Sequence, residues 1–163
     1  MEPIVFEGMP VERAVTTTKP SKVGHLEAAA SHHEQAALFH REASQYYEAA
    51  KNYEHAAYLA VLAHGHAQHA IDEVHVAAKH ASAPSAAGSV ESDLTAAQHH
   101  GAASALHTQA AQHLRHAVKL FDADRSAVAH ETQLALALAL RALVHGNEAA
   151  KQYVTSLRAK GGS

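Results

Sequence analysis

From His25 to about Lys51 the apolar and small residues fall into rows seven apart. Leu26, His33, His40 and Tyr47 make one row, Ala29, Ala36, Ala43 and Ala50 a second, and Phe39, Tyr46 and Tyr53 a third. Seven residues are two turns of α-helix, so the rows lie side by side on one face. Asn52 is a natural turn and N-cap residue. Beyond it Ala56, Ala60, Ala63, Ala67, Ala70, Val74, Ala77 and Ala81 alternate in steps of four and three, the seam of a second helix. Gly65 lies within it and is expected to let a neighbouring helix come close.

Ser82 to Asp93, SAPSAAGSVESD, reads as a linker, with Ser92 or Asp93 capping a third helix. Asp122 and Asp124 are candidate caps for a fourth. The middle of that helix, LALALALRALV, alternates as a strand would, but alanine disfavours strands and the flanks are helical. On a helix Leu134 and Leu138 form one stripe, and Leu136, Leu140 and Leu143 another on nearly the opposite side. One core needs one stripe, so the second predicts a homodimer interface through Leu136, Leu140 and Leu143; a helix buried centrally within one chain is the alternative.

The third helix repeats the first. Shifting residues 26–50 by 67 gives nine identities in 25 positions without a gap, among them His32, His33 and His40 against His99, His100 and His107. The expected fold is all-α: an antiparallel four-helix bundle built from two duplicated αα-hairpins. It occupies residues 25–160, with helices at about 25–51, 53–81, 93–121 and 123–157. Residues 1–24 carry Pro3, Pro10 and Pro20, which forbid a long helix. They read as a flexible tail or as an extended arm that docks on the bundle or on a protein partner.

Composition sharpens this. Of 163 residues 39 are alanine and 17 histidine, and the formal charge is −3 with histidine neutral. Alanine favours helix but buries little area, so the core is thin. The absence of cysteine excludes disulfides and thiolate sites, and the charge gives no footprint for nucleic acid. No apolar run approaches a membrane span and no signal peptide is visible, which predicts a cytoplasmic protein. Phosphate-binding loops are absent, and no catalytic constellation stands out, so no enzymatic activity is expected.

The histidines carry what chemistry there is. His33, His40, His100 and His107 lie in the predicted seam. If the first and third helices run parallel, as in an up-down-up-down bundle, His33 stands level with His100 and His40 with His107. Counting outward from the turns sets His40 near His64 or His66, His33 near His69 and Glu73, His25 near His80, His113 near His130, and His99 or His100 near His145. His32, His55, His75 and His116 read as solvated. Imidazole suits zinc, copper and nickel. The metal reading takes His33, His40, His100 and His107 as first candidate ligands and His64, His66, His69, His113 and His130 as the second set. The copies of Glu-x-x-His that a di-iron site needs are missing.

The strings HHEQAALFHREA, YYEAAKNYEHAA and AHGHAQHA (Ala63–Ala70), with Val74-His75 and AAKHA following, resemble short alanine- and histidine-rich helical-hairpin proteins of bacteria over residues 25–82. The resemblance implies a helical hairpin and no particular activity. Two functions follow from the residues: a bundle that buffers or stores transition-metal ions through interhelical histidines, or a non-catalytic self-assembly module made pH-responsive by buried histidines.

Overall fold

The structure, a computed structural model, describes residues 21–78 and 93–162. It contains four helices that pack together: α1 (Lys22–Glu48), α2 (Tyr53–Ala78), α3 (Ala96–Leu120) and α4 (Arg125–Gly161). The expected ends at His25 and Lys51 move to Lys22 and Glu48, because Ser21 caps α1 by accepting from the Gly24 N–H and Ala49 closes it. Asn52 caps α2 through His55, and Asp124 caps α4 through Ala127. The cap of α3 is Thr95 rather than Ser92 or Asp93. Thr95 and Gln98 exchange bonds in a capping box, which satisfies two otherwise orphaned N–H groups. The N-terminal arm and most of the Ser82–Asp93 linker lie outside the described residues.

The α1–α2 turn is a Schellman closure: Lys51 N–H reaches the Tyr46 carbonyl and Ala50 N–H that of Tyr47. It places Ala50 at φ 50° and Asn52 at φ 42°, in the left-handed region. Asparagine tolerates that region and alanine does so at a cost.

Contacts run α1 with α2, α1 with α3, α3 with α4, and more sparingly α2 with α4. Along α1, His25 meets Glu73 and His32 meets His66, so α2 runs the opposite way. His33 meets His107 and His40 meets His100, so α3 also runs opposite to α1. This corrects the expected parallel first and third helices. The physical reason is the connection. The end of α2 lies beside the start of α1, while Ser44, near the far end of α1, bonds the Ala97 carbonyl at the start of α3. Fourteen residues separate Ala78 from Asp93. A chain of that length reaches about 46 Å, enough to return along a helix of roughly 40 Å.

The core is alanine with few large residues, Leu26, Val74 and Leu114 among them. The largest fully buried side chains are Leu26 and Leu114 together with five histidines: His33, His40, His99, His100 and His107. Imidazole therefore supplies the bulk that leucine would supply elsewhere. The second leucine stripe is not a free face. Leu136 is 5% exposed and packs with Ala139 against Ile71, and half-buried Leu140 and Leu143 lean on the same cluster. The contact of α4 with α2 covers Leu136 and leaves Leu140 and Leu143 half-buried. Leu138 serves the opposite side. Gly65 has nothing near its missing Cβ, so the expected close approach there does not occur. By length and composition α4 could cross a membrane, with an 18-residue window of mean hydropathy 1.3. Core helices of soluble proteins share that property, and this one carries buried Thr132 and His145.

Candidate functional site: a buried set of paired imidazoles

Successive residues on a helix point about 100° apart. A His-His dipeptide on a helix touching two neighbours therefore sends one ring to each. His32-His33 and His99-His100 both do this. His32 Nδ1 lies 3.0 Å from His66 Nδ1 on α2, while His33 Nδ1 lies 3.1 Å from His107 Nδ1 on α3. His99 Nδ1 lies 3.0 Å from His145 Nδ1 on α4, while His100 Nδ1 lies 3.0 Å from His40 Nδ1 on α1.

Alanine makes these bonds reachable. Ala29, Ala36 and Ala43 on α1 and Ala103, Ala110 and Ala117 on α3 are fully buried. Their small side chains bring the backbones close enough for the rings to meet. Ser104 and Ser44 tie the two helices further, each donating to a carbonyl across the interface: Ala37 at 2.7 Å and Ala97 at 2.8 Å.

His33, His107, His40 and His100 form a continuous column between α1 and α3. His40 and His107 stack at 5.6 Å and 7°, and Tyr47 stacks on His100 at 5.4 Å. Each of the four imidazoles is at most 2% exposed. Burial opposes a positive charge, and like-signed neighbours add to this. His33 is lowered to about 4 by desolvation and by His32, His40 to about 3 by desolvation, His100 and His64, and His100 to about 4 by desolvation and His99. His107 falls well below the ordinary value for the same reasons, with His33 and His40 as its neighbours. All four are neutral at pH 7.

Neutral rings impose a rule on each pair. In an Nδ1···Nδ1 bond one ring is the Nδ1–H tautomer with a bare Nε2, and its partner carries its proton on Nε2. Buried His107 Nε2 and His99 Nε2 meet no partner. An orphaned acceptor is tolerated better than an orphaned N–H. His107 and His99 are therefore assigned as the Nδ1–H donors to His33 and His145. A first added proton can go to the bare Nε2 and leave the inter-ring bond intact. A second puts N–H against N–H and breaks it.

A second class of histidine sits at the rim. His25 Nδ1 contacts the Glu73 carboxylate, and His113 Nδ1 lies 2.6 Å from Glu131, with His116 Nδ1 at 3.2 Å on the same carboxylate. The bonds from His113 and His116 hold Glu131 below its usual range.

Several expected pairings change accordingly. His33 and His40 find His107 and His100, the reverse of the expected partners. His66 meets His32 rather than His40, and His69 stacks on His32 at 5.3 Å. His113 takes Glu131 instead of His130, which is exposed; His80 lies outside the described residues. His64 is exposed but close enough to act on His40. The expected contact of His99 with His145 is present. His32, expected in solvent, is half-buried and paired. His99, His145, Glu73, Glu131 and Tyr47 were absent from the candidate ligands. The two His-His dipeptides, read as bridges to two neighbours at once, were the signal for the first two.

Among the described residues no group of three or more histidine, aspartate or glutamate side chains is arranged to hold a metal ion. The buried imidazoles are bonded in twos, at hydrogen-bond separation, while at the rim His113 and His116 share the Glu131 carboxylate. A closed zinc site takes four donors and an open one three. No protein-family model matches the chain, and no curated protein or solved structure is significantly similar to it. Function must therefore be argued from this arrangement.

Proposed function

We propose that this chain is a non-catalytic helical scaffold whose packing is controlled by protons: folded and tight at neutral pH, loosened in mild acid. One observation carries the reading. Most of the large side chains in the fully buried interior are imidazoles bonded to one another, so the interior has ionisable groups where other bundles have leucine. A catalytic histidine needs reach to a substrate and a pKa near the working pH. These rings are almost wholly buried, and those of the column are pushed well away from it.

The bundle is read as antiparallel and as two copies of one hairpin, α1–α2 and α3–α4. The exchanged partners support that duplication. His100 is the copy of His33 and His107 that of His40, so each ring bonds the copy of the other. A two-fold axis between like hairpins has that signature. The column thus lies on the seam between the copies, and its protonation separates one hairpin from the other.

Metal buffering by zinc, copper or nickel is the second reading. What favours it is the density of imidazole nitrogen. It needs a third donor to be recruited to a pair, by movement or from residues outside those described. The two readings part on a simple measurement: chemical unfolding monitored by helical circular dichroism at several pH values, with and without zinc. The scaffold reading requires stability to fall in acid and to ignore zinc. The metal reading requires zinc to raise it.

A further inference from the structure

All four helices border a cavity of about 340 Å³ near the Tyr47 end of the imidazole column. Larger hollows exist, but they are open troughs that do not reach the buried rings, such as the one along Glu34, Arg41 and Arg115. This cavity does reach them. His40 and His100 form part of its wall, with Tyr47, Leu143, Gly146 and Tyr153. Val61 and Val154, 68% and 43% exposed, stand at its mouth between α2 and α4, the loosest of the four main helix–helix contacts.

The chemistry of the wall is specific. His40 and His100 spend their Nδ1 atoms on each other, which leaves the Nε2 atoms for a guest. Gly146 faces His40, with the position of its absent Cβ 3.8 Å from Nε2, so the glycine leaves that nitrogen uncovered on the cavity side. By the tautomer rule one Nε2 of the pair donates and the other accepts; exchanging the roles takes two protons, one across the Nδ1···Nδ1 bond and one from Nε2 to Nε2. The remaining walls are largely aliphatic and aromatic. Ring stacking along the column, with Tyr47 against His100 at 5.4 Å, offers flat faces. The buried end of the wall carries no charge at neutral pH: burial holds His40 and His100 low and raises the Tyr47 phenol to about 12, while His64 stands on the exposed side.

We propose that this cavity is a binding site for a planar, uncharged aromatic molecule of one or two fused rings carrying a hydroxyl, carbonyl or ring N–H group, with the Nε2 atoms of His40 and His100 reading that group. Its volume is at the small end of the range for ligand pockets, about 300–1,000 Å³. An anionic analogue would leave water for a largely apolar wall whose buried imidazoles are neutral, and is excluded.

The site stands independently of the acid response, so its test is made near neutral pH, at about 7.5, where the histidines are neutral. The full chain is titrated with 2-naphthol, naphthalene and 2-naphthoate, and binding is read from ligand fluorescence and from the ring ¹⁵N resonances of His40 and His100. The expected result is saturable one-to-one binding of 2-naphthol that shifts those resonances. Naphthalene should bind about tenfold more weakly, as for loss of one buried hydrogen bond, and 2-naphthoate not at all. Ala60→Leu, which fills the cavity from α2, should weaken 2-naphthol by about tenfold or more while leaving helix content unchanged. Should that variant fail to fold, Val61→Trp at the exposed mouth serves the same purpose. Unmoved His40 and His100 resonances, equal binding of the naphthoate anion, or undiminished binding to the folded variant would each overturn the proposal.

Discussion

Lowering the pH from about 7.5 to 5 should remove several kcal/mol of folding stability, and the buried column sets the magnitude. A histidine whose folded pKa is depressed remains neutral in the native state while its unfolded counterpart binds a proton below about 6.5. Stability is therefore fully present above that value and is lost as the pH falls through it, continuing until the folded pKa is reached. For His33 and His100 that lower limit is about 4 and for His40 about 3. All three are still neutral in the folded state at pH 5. Each then loses about 1.4 kcal/mol per pH unit over the one and a half units below 6.5, or about 2 kcal/mol. The three together lose roughly 6 kcal/mol, comparable with the whole stability of a small domain, about 5–15 kcal/mol. His107 adds to the loss in the same direction. The assay is urea unfolding followed by helical circular dichroism at half-unit steps of pH. The steepest loss is expected below pH 6.5, with the double variant His33→Leu/His107→Leu showing a smaller slope because two titrating rings are gone. His40 and His100, and His66, His99 and His145, also held low by burial, keep the remainder. A midpoint that stays level from pH 7.5 to 5 would refute the reasoning. So would an unchanged slope in the folded double variant, since that would place the titrating groups outside the column.

Other perturbations separate the roles of individual residues. Ala50→Gly should raise stability by about 1 kcal/mol, because the Schellman closure holds Ala50 at φ 50°, where glycine has no Cβ penalty; thermal melting checks it. His107→Ala should lower stability by about 2–4 kcal/mol in urea, since it opens a cavity and strands His33 Nδ1. Leu136→Glu should destabilise the monomeric fold by about 3 kcal/mol or more by burying a carboxylate against Ile71. If sedimentation instead shows a stable protein with a reduced association state, Leu136 belongs to a subunit interface. Saturating zinc should leave the melting temperature at neutral pH unchanged, because each imidazole pair lacks a third donor among the described residues.

The helices were legible because period and caps agree. Seven-residue rows mark α1, the four-three alanine spacing marks α2, and Asn52 and Asp124 announce themselves as caps by residue type. The buried identity of His33, His40, His100 and His107 was legible for the same reason, since they occupy seam positions. Their partners were not. Pairing depends on whether α3 runs with or against α1, and periodicity carries no sign of direction. The length of chain between Ala78 and Asp93 does not decide it either, since that length permits a short hop or a full return. A reversal of α3 exchanges His100 for His107 opposite His33 and leaves every pattern along the chain unchanged. The role of the second leucine stripe was left open by the sequence for a related reason. Two apolar stripes say that a helix has two neighbours, without saying whether they belong to one chain or two. Here α3 takes one side of α4 and Ile71 of α2 the other.

The arrangement also explains why a core this poor in large hydrophobics can use histidine without losing its packing. A buried polar ring is costly when it lacks a partner. Two neutral imidazoles bonded through Nδ1 satisfy one another and turn flat, largely apolar faces to their neighbours, so a pair behaves as one bulky planar side chain shared by two helices. Leucine at the same positions would hold α1 against α3 at least as firmly, and replacing buried polar pairs by apolar ones is often neutral or stabilising. What leucine cannot provide is a defined limit. Each pair accommodates one proton on its bare Nε2 with its bond intact, and the second proton converts the bond into repulsion between like charges. The column between α1 and α3 holds two such pairs in contact, His40 stacked on His107, so the charges that accumulate repel along the column as well as across it. Loss of the seam should therefore be steeper in pH than that of one independent histidine. The slope of stability against pH counts the rings linked to folding, about 1.4 kcal/mol per unit for each proton, so a slope that never exceeds that value would mean that only one ring is linked.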